Sequence, residues 1–186
     1  VKRALDRAAV WHRDQKRKYP GVDVPYVSHP AGVALLLARH GFDEEVVAAG
    51  ALHDVIEDCR VSREELAALF GDRVAELVHT VSEADDSLPW EERKTRYLDR
   101  LAAAPWEAQA IGIADKIDNF LSIVVCARDH GDPWRMFNRG RDTQMSRFEA
   151  FAAVAALLPP HPLVLELDAA LAAVRALAPP PLKPGS

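Results

Sequence analysis

The stretch EEVVAAGALHDVIEDC, residues 44–59, constrains the fold more than any other part of the chain. Val46, Val47, Ala48, Ala49, Ala51, Leu52, Val55 and Ile56 leave a helix here no wide face for solvent, so it must run through the interior. At about 100° per residue, His53, Glu57, Asp54 and Asp58 fall in that order across an arc of roughly 140°. Left unpaired in a core, each of these groups would cost several kcal/mol or give up its charge. The pattern therefore demands either a bound cation or a set of basic partners.

The rest of the chain supplies helices to surround it. Alternating apolar and polar runs are nearly absent, while helix starts and stops recur. A first helix is expected over 2–17, ending in the basic run before Pro20-Gly21, with PGVDVPYVS as a loop. Ser28 can cap a second helix, with Pro30 in its first turn and Gly41 at its end. Asp43 can cap the third, to about Asp58. Ser62 and Glu65 make a capping box for the fourth, which Gly71 closes. The fifth runs from Asp72 through Val81, SEADDSLP is a loop, and 90–103 and 106–129 follow. HGDP breaks the chain before helices over 135–158 and 163–177. The expectation is an all-α bundle of about eight or nine helices, one domain over residues 1–178, with a flexible Pro-rich tail at 179–186.

Composition narrows the function. The chain has 186 residues, 49% of them hydrophobic, enough for one helical core. A net charge of −5 with dispersed Lys and Arg argues against a nucleic-acid partner. Cys59 and Cys126 fit no disulfide framework or zinc spacing, and no apolar run reaches membrane-span length. A cytoplasmic protein is the expectation, with self-association left open.

Further ligands for the His53-Asp54 pair must come from elsewhere. VSHPAG puts His29 at the start of the second helix, where the plain alternative is a residue of the capping region. IADKIDNFLSIV puts Asp115 in a long apolar helix, with Asn119 and Ser122 on the same stripe at i+4 and i+7. His29, His53, Asp54 and Asp115 would give two nitrogens and two oxygens, a mononuclear site with positions left for water and substrate. With no thiolate, such a set favours Mn²⁺, Mg²⁺ or Fe²⁺ over Zn²⁺. Glu57, one turn beyond His53, can orient a water or take its proton, or simply hold a ligand imidazole. Asp58 can do similar work or pair with a base. Arg17 and Lys18 are the local cations for an anionic substrate, unless they are only a solvated helix end. Tyr26 can stack on a base or fill the underside of the loop. Asn119 offers a donor and an acceptor to a sugar or base edge.

HRDQKRK, PYVSHPAGVA, GALHDVIEDCRVSREELAALFGDRVAELV and IGIADKIDNFLSI, in this order, resemble the HD-domain phosphohydrolases, and within them the RelA/SpoT-type alarmone hydrolases, including the small stand-alone forms. The segments cover roughly residues 4–124. The resemblance implies a manganese-dependent enzyme that removes the 3′ pyrophosphate from guanosine tetra- and pentaphosphate. It implies His29, His53, Asp54 and Asp115 as metal ligands, and Glu57 and Asp58 as the acidic pair that handles the water. It implies Arg17, Lys18 and Asn119 as substrate contacts, with Tyr26 and Ser122 beside them. The chain departs from the family pattern at Tyr19, usually a small residue; at Asp118, commonly His; at Ser122, usually Thr; and in a longer YPGVDVP link. Tyr19 and Asp118 keep open an HD hydrolase of another nucleotide or phosphoester; a catalytically idle nucleotide-binding module is a third reading, against which the complete ligand set argues.

Overall fold

The computed structural model describes residues 1–83 and 88–177. The expected tail at 179–186 and the middle of the SEADDSLP loop lie outside the described residues. The described residues form α1 (Lys2–Trp11), α2 (Ser28–Arg39), α3 (Glu44–Leu52), α4 (Val55–Cys59), α5 (Arg63–Phe70), α6 (Asp72–Val81), α7 (Trp90–Ala102), α8 (Trp106–Asp129), a 3-10 turn (Pro133–Met136), α9 (Gly140–Ala155) and α10 (Pro162–Arg175). None of these helices is long and apolar enough to cross a membrane.

α8 is the axis of the molecule, and α2, α3, α6, α7 and α10 pack around it. Its Ile111, Ile113, Ile117, Phe120 and Ile123 are buried in one core with the equally buried Leu37 of α2, Leu52 of α3 and Leu167 and Leu171 of α10. Burying such a side chain contributes about 1.5–3 kcal/mol. As expected, α3 is interior, with Val46 through Leu52 all buried. Asp43 caps it, accepting from the backbone N–H of Glu45 and Val46, both at 3.0 Å. Ser62 caps α5 through the Glu65 N–H at 3.1 Å.

Four boundaries differ from the sequence reading, some for tertiary reasons and some for local ones. α1 stops at Trp11 rather than 17. Beyond it, His12 is buried against the Tyr26 ring, with centroids 4.9 Å apart. The next segment pairs antiparallel with the loop: Arg17 N–H donates to Val24 O at 2.8 Å and Tyr26 N–H to Gln15 O at 2.9 Å. Ser28 is the first residue of α2 rather than its cap; its hydroxyl donates to Pro25 O at 3.0 Å. The helix expected from Asp43 to Asp58 is interrupted at His53-Asp54, where Asp54 has φ −96° and ψ −5°. α9 begins at Gly140, because Asp132 caps the separate 3-10 turn through the Trp134 N–H.

Candidate active site

The interruption between α3 and α4 lies where α2, α3 and α8 meet. His29 stands in the first turn of α2, His53 and Asp54 at the break, and Asp115 midway along α8. All four are withdrawn from solvent, with side chains 2%, 5%, 21% and 13% exposed in that order. His29 Nε2 lies 3.1 Å from Asp115 Oδ1 and 3.5 Å from Asp54 Oδ2. His53 Nε2 lies 3.0 Å from Asp54 Oδ2 and 3.7 Å from Asp115 Oδ1. The two imidazoles meet edge to face at 4.9 Å. Donor atoms of His29, His53 and Asp115 all fall within 4.8 Å of one another.

The set fits a divalent cation by the state of its nitrogens. His53 Nδ1 is 2.8 Å from Gly50 O, so in the neutral imidazole that nitrogen carries the proton and Nε2 is the one left to face inward. Although buried, that Nε2 has no aligned hydrogen bond. His29 Nδ1 is likewise engaged by Asp118 Oδ2 at 2.7 Å, which turns its Nε2 to the same spot. Two imidazoles fixed through their outer nitrogens, facing two carboxylates, are a common metal-binding arrangement.

Without an ion, the groups neutralise one another. Burial pulls His29 down, but hydrogen bonds to Asp115, Asp118 and Asp54 hold it well above its ordinary value. For His53 burial is likewise outweighed, chiefly by the charge of Asp54, and the imidazole rises to about 9. Burial raises Asp54 and Asp115, yet the charge of His53 for the one and of Lys116 for the other holds both well below the usual carboxylate range.

Several expected substrate contacts also support this centre. The Tyr26 hydroxyl donates to Asp54 Oδ2 at 2.6 Å, and burial with this partner keeps the phenol strongly protonated. Asn119 Nδ2 donates to Asp115 Oδ1 at 2.6 Å. Arg17 donates to Ser122 Oγ and reaches Asp118 Oδ2 at 3.5 Å. Glu57 lines the cavity in front of the donors, where its carboxylate is 3.4 Å from the Glu83 N–H. Burial in that wall, then the neighbouring Glu83 and Asp54, push it up to about 7 against the pull of Lys94. Asp58 lines neither part of the cleft; it accepts from Gln15 Nε2 at 2.7 Å.

The cleft has two connected parts. A chamber of about 160 Å³ is walled by His29, His53, Asp54, Glu57 and Asp115. It shares Tyr26, Glu83, Lys94, Tyr97, Lys116 and Asn119 with a chamber of about 390 Å³. The larger one is basic and aromatic, with Lys16, Arg17, Lys18 and Arg147 beside Trp90, Phe137 and Phe148. Tyr19 stands outside this lining and stacks on His130 at 5.2 Å.

Sequence reading missed three cations here. Lys116 pairs with Asp115 Oδ2 at 2.5 Å, and its ammonium lies over the Tyr97 and Phe151 rings. A lysine inside the apolar IGIADKID run was a usable signal. Lys94, paired with Glu83, and Arg147 gave none, because both sit on polar faces that read as solvent-facing.

The HD domain family model matches residues 4–129. Over 121 residues the chain is 38% identical to guanosine-3′,5′-bis(diphosphate) 3′-pyrophosphohydrolase MESH1 of Danio rerio, a match covering 64% of this chain and 66% of that protein. The Drosophila melanogaster MESH1 is 40% identical over 123 residues, covering 65% and 68%. A solved structure of a metazoan SpoT ortholog described as hydrolysing ppGpp superposes with a TM-score of 0.78 at 32% identity, over 92% of this chain and 93% of that one. The matching segment thus spans about two thirds of the length of the curated metazoan relatives. With the helical bundle, the ordered histidines and aspartates and the match over most of its length, the chain belongs to the HD domain family, in the branch that holds the MESH1- and SpoT-type proteins.

Proposed function

We propose that this chain hydrolyses guanosine 3′,5′-bis(diphosphate) and its pentaphosphate, releasing the 3′ pyrophosphate, with one Mn²⁺ held by His29, His53, Asp54 and Asp115, in the cytoplasm. The observation that carries the reading is the joining of two unlike chambers. A small acidic one contains the metal-binding donors, and it opens into a basic, aromatic one of the size that drug-sized ligands fill. A nucleotide with a terminal diphosphate has the matching polarity.

A divalent ion supplies Lewis acidity there, making water more acidic and drawing charge from a phosphoryl oxygen. The chain's own groups do the rest. Glu57, raised to about 7, is poised to take a proton from the attacking water near neutral pH. Lys116, Lys94 and Arg17 neutralise the phosphates, with Lys18 at the mouth. Tyr26 holds Asp54 and Asn119 holds Asp115, so that the carboxylates stay aimed while the substrate changes. Asp58 acts through Gln15 on the basic loop. Trp90 and Phe137 offer faces to the base. One folded unit over 1–178 completes the reading.

The test is a nucleotide panel with added Mn²⁺, in which phosphate and pyrophosphate are measured separately. Pyrophosphate from ppGpp is expected. Turnover of other nucleotides with ppGpp left intact would move the chain to a different substrate within the same family. Metal binding without turnover of any nucleotide would favour an idle binding module.

A further inference from the structure

Asp118, one of the residues that depart from the family pattern, holds two parts of the site at once. Its Oδ2 receives His29 Nδ1 at 2.7 Å and lies 3.5 Å from Arg17 Nη2. The three side chains are 19%, 2% and 10% exposed, so the contacts are sheltered. Asp118 stands on α8, His29 on α2 and Arg17 on the paired loop segment after α1.

The backbone across the interface is shaped for this carboxylate. Gly32 lies one turn after His29 on α2, inside the helix and without a positive φ. Its conformation does not require glycine, and glycine costs a helix roughly 0.5–1 kcal/mol relative to alanine. The reason is space: a Cβ at position 32 would stand 2.1 Å from Asp118 Oδ1 and 3.0 Å from its Cγ. Any side chain there would drive Asp118 off His29.

His53 differs in this respect, since its outer nitrogen is held by a neutral carbonyl, Gly50 O. A carboxylate on the outer nitrogen makes an imidazole a stronger ligand than a carbonyl does. At His29 that carboxylate is shared with Arg17, a cation of the substrate chamber.

We propose that Asp118, seated on Gly32, is a positioning residue that orients His29 toward the metal and Arg17 toward the substrate phosphates, tying the two halves of the cleft together. This rests on the metal-dependent reading above. Held by Asp118 and Ser122 through one terminal nitrogen, Arg17 lines the substrate chamber with donors left over for a phosphate.

The test is Mn²⁺ binding by isothermal titration calorimetry, joined to steady-state kinetics on ppGpp, for native protein, Asp118→Asn, Gly32→Ala and Ser122→Ala. Asp118→Asn is expected to weaken Mn²⁺ about 10–100-fold, as loss of an outer partner does, and to raise KM as well. Gly32→Ala removes no charged group but displaces the Asp118 carboxylate, and is expected to show the same two losses. Ser122→Ala loosens Arg17 alone, so it is expected to raise KM while leaving the Mn²⁺ affinity within twofold. If Asp118→Asn fails to fold, Gly32→Ala decides. Mn²⁺ affinity within twofold of native in whichever of these two folds overturns the proposal, as does a Ser122→Ala variant that loses metal. Native protein that binds no Mn²⁺ would instead overturn the metal reading itself.

Discussion

A proton and a metal ion compete for Nε2 of His53. In the metal-free protein the imidazole is raised from 6.5 to about 9, so the folded chain holds this proton more tightly than the unfolded chain does. That contribution to stability is complete below about 6.5 and is lost as pH rises through about 9. The melting temperature of metal-free protein, followed by circular dichroism, is therefore expected to fall over that window. Mn²⁺ binding must expel the proton, so calorimetry at pH 7 in buffers of different ionisation enthalpy should record proton release. Identical heats across the buffers, after correction for dilution, would contradict it. Glu57 is displaced in the same direction, from 4.5 to about 7. Its ionised form is disfavoured in the fold, so it also costs stability as pH rises between those values. Glu57→Gln should melt higher than native at pH 8 in the absence of metal, with the difference gone near pH 4. The same variant should lower kcat by roughly 10²–10⁴, the usual span for an acid/base group. A variant with native kcat would remove Glu57 from the chemistry. His53, Asp54 and Asp115 stood out in the sequence because histidine and aspartate inside apolar helices demand compensation, whereas His29, at the start of its helix beside a loop, also read as a capping-region residue. Lys94 and Arg147 were not, because a cation on an amphipathic helix looks the same whether it faces bulk water or a water-filled cleft.

Helices announce themselves where their own residues satisfy their ends. Asp43 and Ser62 are side-chain caps, and both were readable. The end of α1 and the break at His53-Asp54 were not, because the chain leaves the helical path for partners distant in sequence. Asp54 meets Tyr26 and His29, and no local propensity encodes that. Gly50 sits on the α2–α3 interface, where a Cβ would come within 2.3 Å of Leu37 Cδ1 and 3.3 Å of Val33 Cγ1, both fully buried side chains. Gly50→Ala should therefore cost about 1–3 kcal/mol in urea unfolding. It should also weaken Mn²⁺, since the Gly50 carbonyl orients His53. Asp43→Ala removes only the α3 cap and an exposed pair with Arg73. It should cost about 1 kcal/mol and leave metal binding as it was.

The cleft belongs to the molecule as a whole. Its floor comes from α2, the α3–α4 break and α8, all within the span of the family match. Part of its outer wall comes from Met136 and Phe137 and from Gln144, Arg147, Phe148 and Phe151 of α9, beyond residue 129. The larger chamber thus takes its lining from two stretches of chain, one inside the family match and one beyond it. Arg147→Ala should raise KM for ppGpp about tenfold or more, the span of a lost charge-assisted contact, and leave kcat nearly as it was. A fall in kcat at unchanged KM would put Arg147 in the reaction instead. The all-α class was readable from the punctuation alone. The wall was not, because which late helix closes over the cleft depends on packing rather than on any local pattern. One divalent ion is proposed to sit among side chains from three separate helical regions. Anomalous diffraction at the manganese edge from crystals grown with Mn²⁺ would locate it. One strong peak is expected within bonding distance of His29 Nε2, His53 Nε2 and carboxylate oxygens of Asp54 and Asp115. Crystals saturated with Mn²⁺ that show no peak there, or a peak held by other residues, would contradict it.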